Sequence, residues 1–183
     1  MSNQNEQTML KKYLGMGEVI ITADPMIIWT ILGSCVSITL FNKRLGLAAI
    51  CYAQLPEKEH SNGMRCSDTC PKPCFRNDKG ESTKFLSCAF NLMLEKFKSN
   101  GVINNEISAG IYGGASMFKY IYVYREKSIG EQNVELAYRL CNRNKIRVVD
   151  DDTGGEVGRR LKFNTLNGKI EMHHQNAYLG VKP

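Results

Sequence analysis

The residues whose types could do chemistry are few: seven cysteines, at 35, 51, 66, 70, 74, 88 and 141, and three histidines, at 60, 173 and 174. The sharpest local arrangement is Gly33-Ser34-Cys35, at a junction between two apolar runs. A glycine two residues before a cysteine lets the backbone turn tightly and leaves the thiol at the mouth of a strand. Backbone N–H groups around Ser34 and Cys35 could then face a developing oxyanion. The same tripeptide is equally compatible with a small core cysteine.

Cys66, Cys70 and Cys74 form a second pattern, C-x3-C-x3-C, with Cys88 further on. This spacing is permissible for zinc, and thiolate ligation would favour zinc or an iron–sulfur cluster. Pro71 and Pro73 constrain the run, and no close histidine completes a ligand set. A metal, a disulfide and unlinked thiols all remain open. His60 lies in the same stretch and could fold back over Cys35 or be a solvated loop residue. His173 and His174 follow each other in a strand, so one faces inward and one outward. Gly113-Gly114 and Gly154-Gly155 fit neither a P-loop nor a dinucleotide fingerprint, which leaves tight turns and close backbone packing.

The elements that must position these residues are legible from the pattern. EVIITA (18–23) and MIIWTIL (26–32) read as strands about an Ala23-Asp24-Pro25 turn. In 34–41, Cys35, Ser37 and Thr39 alternate with Val36, Ile38 and Leu40. Leu45 to Leu55 is a further apolar run closed by Pro56. Residues 57–81 lose all periodicity and read as a long cysteine-containing loop. The spacing predicts a helix over 82–100, capped by Ser82 or Thr83 and burying Phe85, Ala89, Leu92, Met93 and Phe97, with Gly101 past its end. It predicts a strand over 106–112 and a second helix over 130–144, with Val134, Ala137, Tyr138 and Cys141 inward. Short strands at 146–150, 159–164 and 169–173 follow, the last two joined by an Asn167-Gly168 hairpin signal. Such a set points to an α+β layered sandwich with the two helices packed outside.

Composition bounds the rest. A chain of 183 residues with 43% hydrophobic and 23% charged content reads as one globular domain, not as disorder, collagen or coiled coil. The boundaries are a flexible polar arm over 1–15 and a single domain over 16–183. No apolar run reaches the length of a membrane span, and the first 15 residues are polar, so a cytoplasmic protein with no membrane insertion is expected. The odd cysteine count then favours reduced thiols. The net charge of +6 is spread from Lys11 to Lys182, which suits a solvated surface and gives no sign of a nucleic-acid partner.

Five segments in order carry a resemblance: TILGSCVSITLF (30–41), the run ending QLP (54–56), YGGASMF (112–118), IGEQNVE (129–135) and DTGGEVGRRLKFNTLNGKI (152–170). The chain resembles CheD, the bacterial chemoreceptor glutamine deamidases. The resemblance implies an amidohydrolase that converts glutamine side chains of methyl-accepting chemotaxis receptors to glutamate and ammonia, with no metal or cofactor demanded. It implies a Cys-His pair assisted by a threonine. The cysteine maps onto Cys35 and the threonine onto Thr30. Counting back from Pro56, the histidine position is occupied by Tyr52. Arg159 matches a family arginine that orients the catalytic face or serves in a salt bridge.

The tyrosine matters physically. With an ordinary pKa near 8.5, about 3% of a cysteine is thiolate at pH 7. A neighbouring imidazolium would lower that pKa, which a phenol with pKa of about 10 does not do. Two functions follow: a cysteine-dependent deamidase, or an impaired CheD-like module that binds receptors or a CheC-type phosphatase.

Overall fold

The computed structural model describes residues 8–58, 81–116 and 127–175. Nine strands and two α-helices lie within them: β1 (Leu10–Tyr13), β2 (Val19–Thr22), β3 (Met26–Leu32), β4 (Val36–Asn42), β5 (Leu47–Cys51), α1 (Leu86–Ser99), β6 (Ser108–Gly113), α2 (Ile129–Arg143), β7 (Arg147–Thr153), β8 (Gly158–Asn164) and β9 (Ile170–Gln175). A 3-10 turn, Glu81–Lys84, leads into α1.

The alternation in β4 sets the layers. Val36, Ile38 and Leu40 face one way and pack with Phe90, Met93 and Phe97 of α1 and Leu136, Ala137 and Leu140 of α2. Ile50 and Tyr52 face the other way, into a second core with Ile28, Leu32, Leu161 and Phe163. The result is helices over a five-stranded sheet, ordered β2-β5-β4-β6-β7, over a four-stranded sheet, ordered β1-β3-β8-β9. The α+β sandwich expected from the sequence is therefore the fold, and both helices cover the same sheet.

Several details differ from the sequence reading. The expected flexible arm over 1–15 holds β1, which pairs in parallel with β3 from Leu10↔Met26 to Tyr13↔Trp29. Leu14 is fully buried, and its N–H donates to the Trp29 carbonyl at 2.9 Å. All four β1 side chains are exposed, so this edge strand has no alternation to read. Helix α1 starts at Leu86, with Phe85 as its N-cap and no side-chain cap. Thr83 instead donates its hydroxyl to the Gly17 carbonyl at 2.5 Å. Ala89, Met93 and Phe97 are buried as expected, joined by Leu86, Phe90 and Leu94, while Phe85 and Leu92 are only partly buried. Helix α2 matches its prediction more closely: Ser128 and Glu131 form a reciprocal capping box. The three C-terminal strands form at or beside their predicted places, with Gly168 at φ 74° in the β8–β9 turn. Most of the 57–81 loop, with His60, Cys66, Cys70 and Cys74, lies outside the described residues.

Candidate active site

Cys35 immediately precedes β4, and Tyr52 immediately follows β5. The antiparallel register places Thr39 opposite Ile50 and extends to a bridge between Val36 and Ala53. Residues 35, 37 and 39 therefore share a face with 50 and 52, and Cys35 and Tyr52 meet diagonally across the pair. Their side chains are hydrogen-bonded, the phenol donating to the sulfur. Cys35 is half-buried and Tyr52 is 6% exposed. Burial raises the Cys35 pKa, and the Tyr52 hydrogen bond offsets only part of that rise. Burial also raises the pKa of Tyr52, reinforced by Cys35. The pair is thus neutral at pH 7, and neither partner is a base there.

The backbone around Cys35 is held from one side. The Gly33 carbonyl accepts from the Ala115 N–H at 2.8 Å, and the Cys35 carbonyl accepts from the Gly114 N–H at 2.9 Å. Between them, the Ser34 carbonyl accepts from the Asn133 side-chain amide of α2 at 3.4 Å. The N–H groups of Ser34 and Cys35 donate to none of the described residues. Two free N–H groups beside a half-exposed sulfur can receive an oxyanion formed by attack of that sulfur.

The β4–β5 ladder explains why Ser34 is released. Val36 and Ala53 exchange both backbone bonds, at 3.0 and 2.9 Å. The next such pair would be Ser34 with Leu55. Leu55 instead turns toward α1: its N–H donates to the Lys84 carbonyl, and its carbonyl accepts from Leu86. The strands part at this point, and the Cys35 turn opens beside the gap.

Glycines frame the far side. Gly113 has φ 105°, and a Cβ there would lie 2.2 Å from the Cys35 carbonyl oxygen. A Cβ on Gly114 would meet Val134 at 2.3 Å, and one on Gly130 would meet the Gly114 carbonyl at 2.6 Å. Gly113 and Gly114 are thus close-packing residues, whereas Gly154 and Gly155, at φ 72° and 70°, are turn residues with room around them. The Gly154 N–H donates to the Gly113 carbonyl, and the Gly155 carbonyl accepts from Ser116. Arg159 is buried and bonds both the Gly154 carbonyl, at 2.6 Å, and Asp152, at 2.8 Å. The salt-bridge reading of Arg159 holds, and the loop it secures backs the Cys35 turn. Burial works against the Asp152 carboxylate, but hydrogen bonds from Arg159 and His174 outweigh it and hold its pKa low. His174, 2.6 Å from Asp152, belongs to this cluster, while His173 is an exposed strand residue.

Thr30 is fully buried on β3, and its hydroxyl donates to the Leu14 carbonyl at 2.8 Å. Among the described residues this bond is to Leu14 and not to Cys35. Cys51, Cys88 and Cys141 are buried. No group of three or more His, Cys, Asp or Glu side chains fit for a metal occurs among the described residues. No helix there is long and apolar enough to cross a membrane.

Asn133 was missed in the sequence. Buried positions of α2 fall at 133, 136, 137, 140 and 141, so a polar residue on the apolar stripe was the signal available.

Comparison with known proteins bears on this site. Residues 71–174 match the family described as CheD chemotactic sensory transduction. A Geobacter metallireducens protein named "Probable chemoreceptor glutamine deamidase CheD 2" is 33% identical over 159 residues, covering 86% of this chain and 89% of its own length. A Maridesulfovibrio salexigens protein, "Probable chemoreceptor glutamine deamidase CheD", is 28% identical over 169 residues, covering 91% of this chain and 93% of its own. The family match begins after Tyr52, but a span of 91% of 183 residues necessarily includes positions 30 to 52. Among solved structures, the "hypothetical protein YfiH" of Bacillus licheniformis aligns with a TM-score of 0.46 at 10% identity, over 74% of this chain and 50% of that one.

Proposed function

The chain belongs to the CheD family of chemotactic sensory transduction, and from that premise we propose that it is a protein-glutamine deamidase acting on chemoreceptors, with Cys35 as nucleophile. The observation that carries this reading is the Cys35 turn: a half-exposed sulfur beside two backbone N–H groups that none of the described residues accepts from. Sγ adds to the carboxamide carbon, and the carbonyl π pair moves onto oxygen as an oxyanion held by those N–H groups. The oxyanion collapses, the C–N bond breaks, and nitrogen leaves as ammonia after gaining a proton. Water then hydrolyses the thioester to glutamate and restores the thiol.

Tyr52 donates to Sγ and so favours the thiolate, but a neutral phenol cannot take the thiol proton at pH 7. With Tyr52 as its neighbour, the sulfur loses its proton without a base among the described residues, which makes turnover slow and dependent on pH. Thr30 acts at a distance: its hydroxyl is occupied by Leu14, and it fixes β3 behind the turn. We place the activity in the cytoplasm, on the receptor substrate, with a CheC-type phosphatase as a further partner and no cofactor.

The test is ammonia release from a synthetic receptor helix bearing one glutamine. Wild-type release that Cys35→Ala abolishes is the expected result. Equal background release from both proteins would overturn the enzyme reading, and intact receptor binding in that case would favour an impaired docking module.

A further inference from the structure

Asn133 is a polar residue placed where the fold has no general need of one. It sits on the apolar stripe of α2, is fully buried, and lies in the gap where β4 and β5 part. Its amide nitrogen reaches two backbone carbonyls, Gln54 at 3.1 Å and Ser34 at 3.4 Å. Two acceptors facing one end of the side chain fix that end as the NH2 group. Its oxygen is buried without a partner among the described residues. Leaving a buried amide acceptor unmet is destabilising. The favourable contacts of the side chain are those its nitrogen makes.

What it holds is a peptide plane. In a trans peptide the C=O of one residue and the N–H of the next point in opposite directions. Drawing the Ser34 carbonyl toward α2 therefore turns the Cys35 N–H away from α2, toward the face that carries the Cys35 and Tyr52 side chains. The Gly33 carbonyl, bound to Ala115, orients the Ser34 N–H in the same manner. Both anchors of the neighbouring planes are backbone groups, from Ala115 and Gly114, whereas the middle plane depends on one side chain. The same nitrogen grips Gln54, two residues beyond Tyr52, so one amide ties together the two chain segments that carry the thiol and the phenol.

We propose that Asn133 is a positioning residue for deamidation: it holds the Ser34–Cys35 peptide so that the Cys35 N–H meets the oxyanion of the tetrahedral intermediate. This rests on the deamidase reading given above. The residue touches no reacting atom and acts only through the plane it sets. Its contribution belongs to the intermediate and not to the bound glutamine, so it is expressed in kcat.

The experiment compares wild type, Asn133→Ala and the isosteric Asn133→Asp, with three readouts. On a receptor-helix peptide bearing one glutamine, kcat for ammonia release should fall by the ~10²–10³ typical of a lost oxyanion donor, with KM unchanged. Alkylation of Cys35 by iodoacetamide forms no oxyanion, so its rate should stay at the wild-type value. In amide NMR spectra, the Cys35 N–H resonance should move in both variants while helix and strand resonances keep their places. Unchanged kcat, or loss of kcat and alkylation in parallel, would overturn the proposal. So would a Cys35 amide resonance identical to wild type. Should Asn133→Ala fail to fold, Asn133→Asp carries the same three outcomes without a cavity. Wild type no more active than Cys35→Ala would sink the deamidase reading instead. The amide spectra would then still decide whether Asn133 sets the peptide plane.

Discussion

Cys35 and Cys51 stand at the same end of one strand pair, on opposite faces of its sheet, and live in different chemical worlds. Cys51 is the last residue of β5, fully buried against the helices, and burial pushes its pKa to about 12. Cys141 on α2 is likewise raised to about 12. Cys35 is also raised by burial, yet it is half-exposed and receives a hydrogen bond from Tyr52. Ionisation does not separate Cys35 from Cys51 and Cys141, since all three are protonated at pH 7. Access and backbone do: Cys35 is half-exposed, beside two N–H groups that none of the described residues accepts from, whereas Cys51 is fully buried in the helix-covered core. Among the described residues, Cys35 has candidate oxyanion donors beside it, while its neighbour Tyr52 is not a base at pH 7.

The largest expected effect tests that statement. Tyr52→His should raise deamidation by ~10²–10⁴, because an imidazole can take the thiol proton and return it to the leaving nitrogen. Ammonia release by wild type and variant on one receptor fragment measures the ratio. A ratio of one would mean that access, and not proton transfer, limits the reaction.

Next in size is the contrast in alkylation. The Cys35 pKa is raised, so its thiolate fraction, and its rate with iodoacetamide, should climb about tenfold per pH unit from pH 6 to 8. Cys51 and Cys141 should remain unlabelled in the folded protein. Mass mapping of labelled peptides across pH reads both. A flat Cys35 profile would reveal a thiolate already formed.

Gly113→Ala should cost roughly 1–3 kcal/mol, the range for a residue forced into a disfavoured backbone region. Because the added Cβ would press on the Cys35 carbonyl, most of the activity should go with it. Urea unfolding and ammonia release together separate the two losses. The smallest effect belongs to the core thiol: Cys51→Ala should cost about 1 kcal/mol and leave turnover at the wild-type level.

Much of this was open to sequence reading, for definable reasons. Cys35, Ser37 and Thr39 alternate with Val36, Ile38 and Leu40, so the two faces of β4, and the face that carries the thiol, follow from pattern alone. The spacing of Val134, Ala137, Tyr138 and Cys141 announces α2, and the structure adds the Ser128–Glu131 cap. Strand β1 was invisible because all four LKKY side chains are exposed and show no alternation, and its place depends on pairing with β3, where Tyr13 meets the Trp29 ring edge-on. The α1 stripe was legible at Ala89, Met93 and Phe97, but its start was set too early because a 3-10 turn occupies residues that look helical. Asn133 escaped because its role depends on a gap between β4 and β5, which arises only when Leu55 leaves the ladder for α1.

The order of strands has a consequence for how the protein comes into being. The β4–β5 pair joins neighbours in sequence and forms as soon as residues 36–51 are available. Strand β3 waits much longer, because Leu32 pairs with Arg159 and Ile27 with Asn164. A ribosome must therefore deliver most of the chain before the sheet behind the Cys35 turn can close. Pairings so distant in sequence fold slowly. A nascent chain carrying Cys35 and Tyr52 already has both groups of the pair, but neither α2 nor the β7–β8 loop that fixes the turn. Deamidase competence should thus arise late in folding, after most secondary structure, and refolding followed by ammonia release should lag behind refolding followed by helix content.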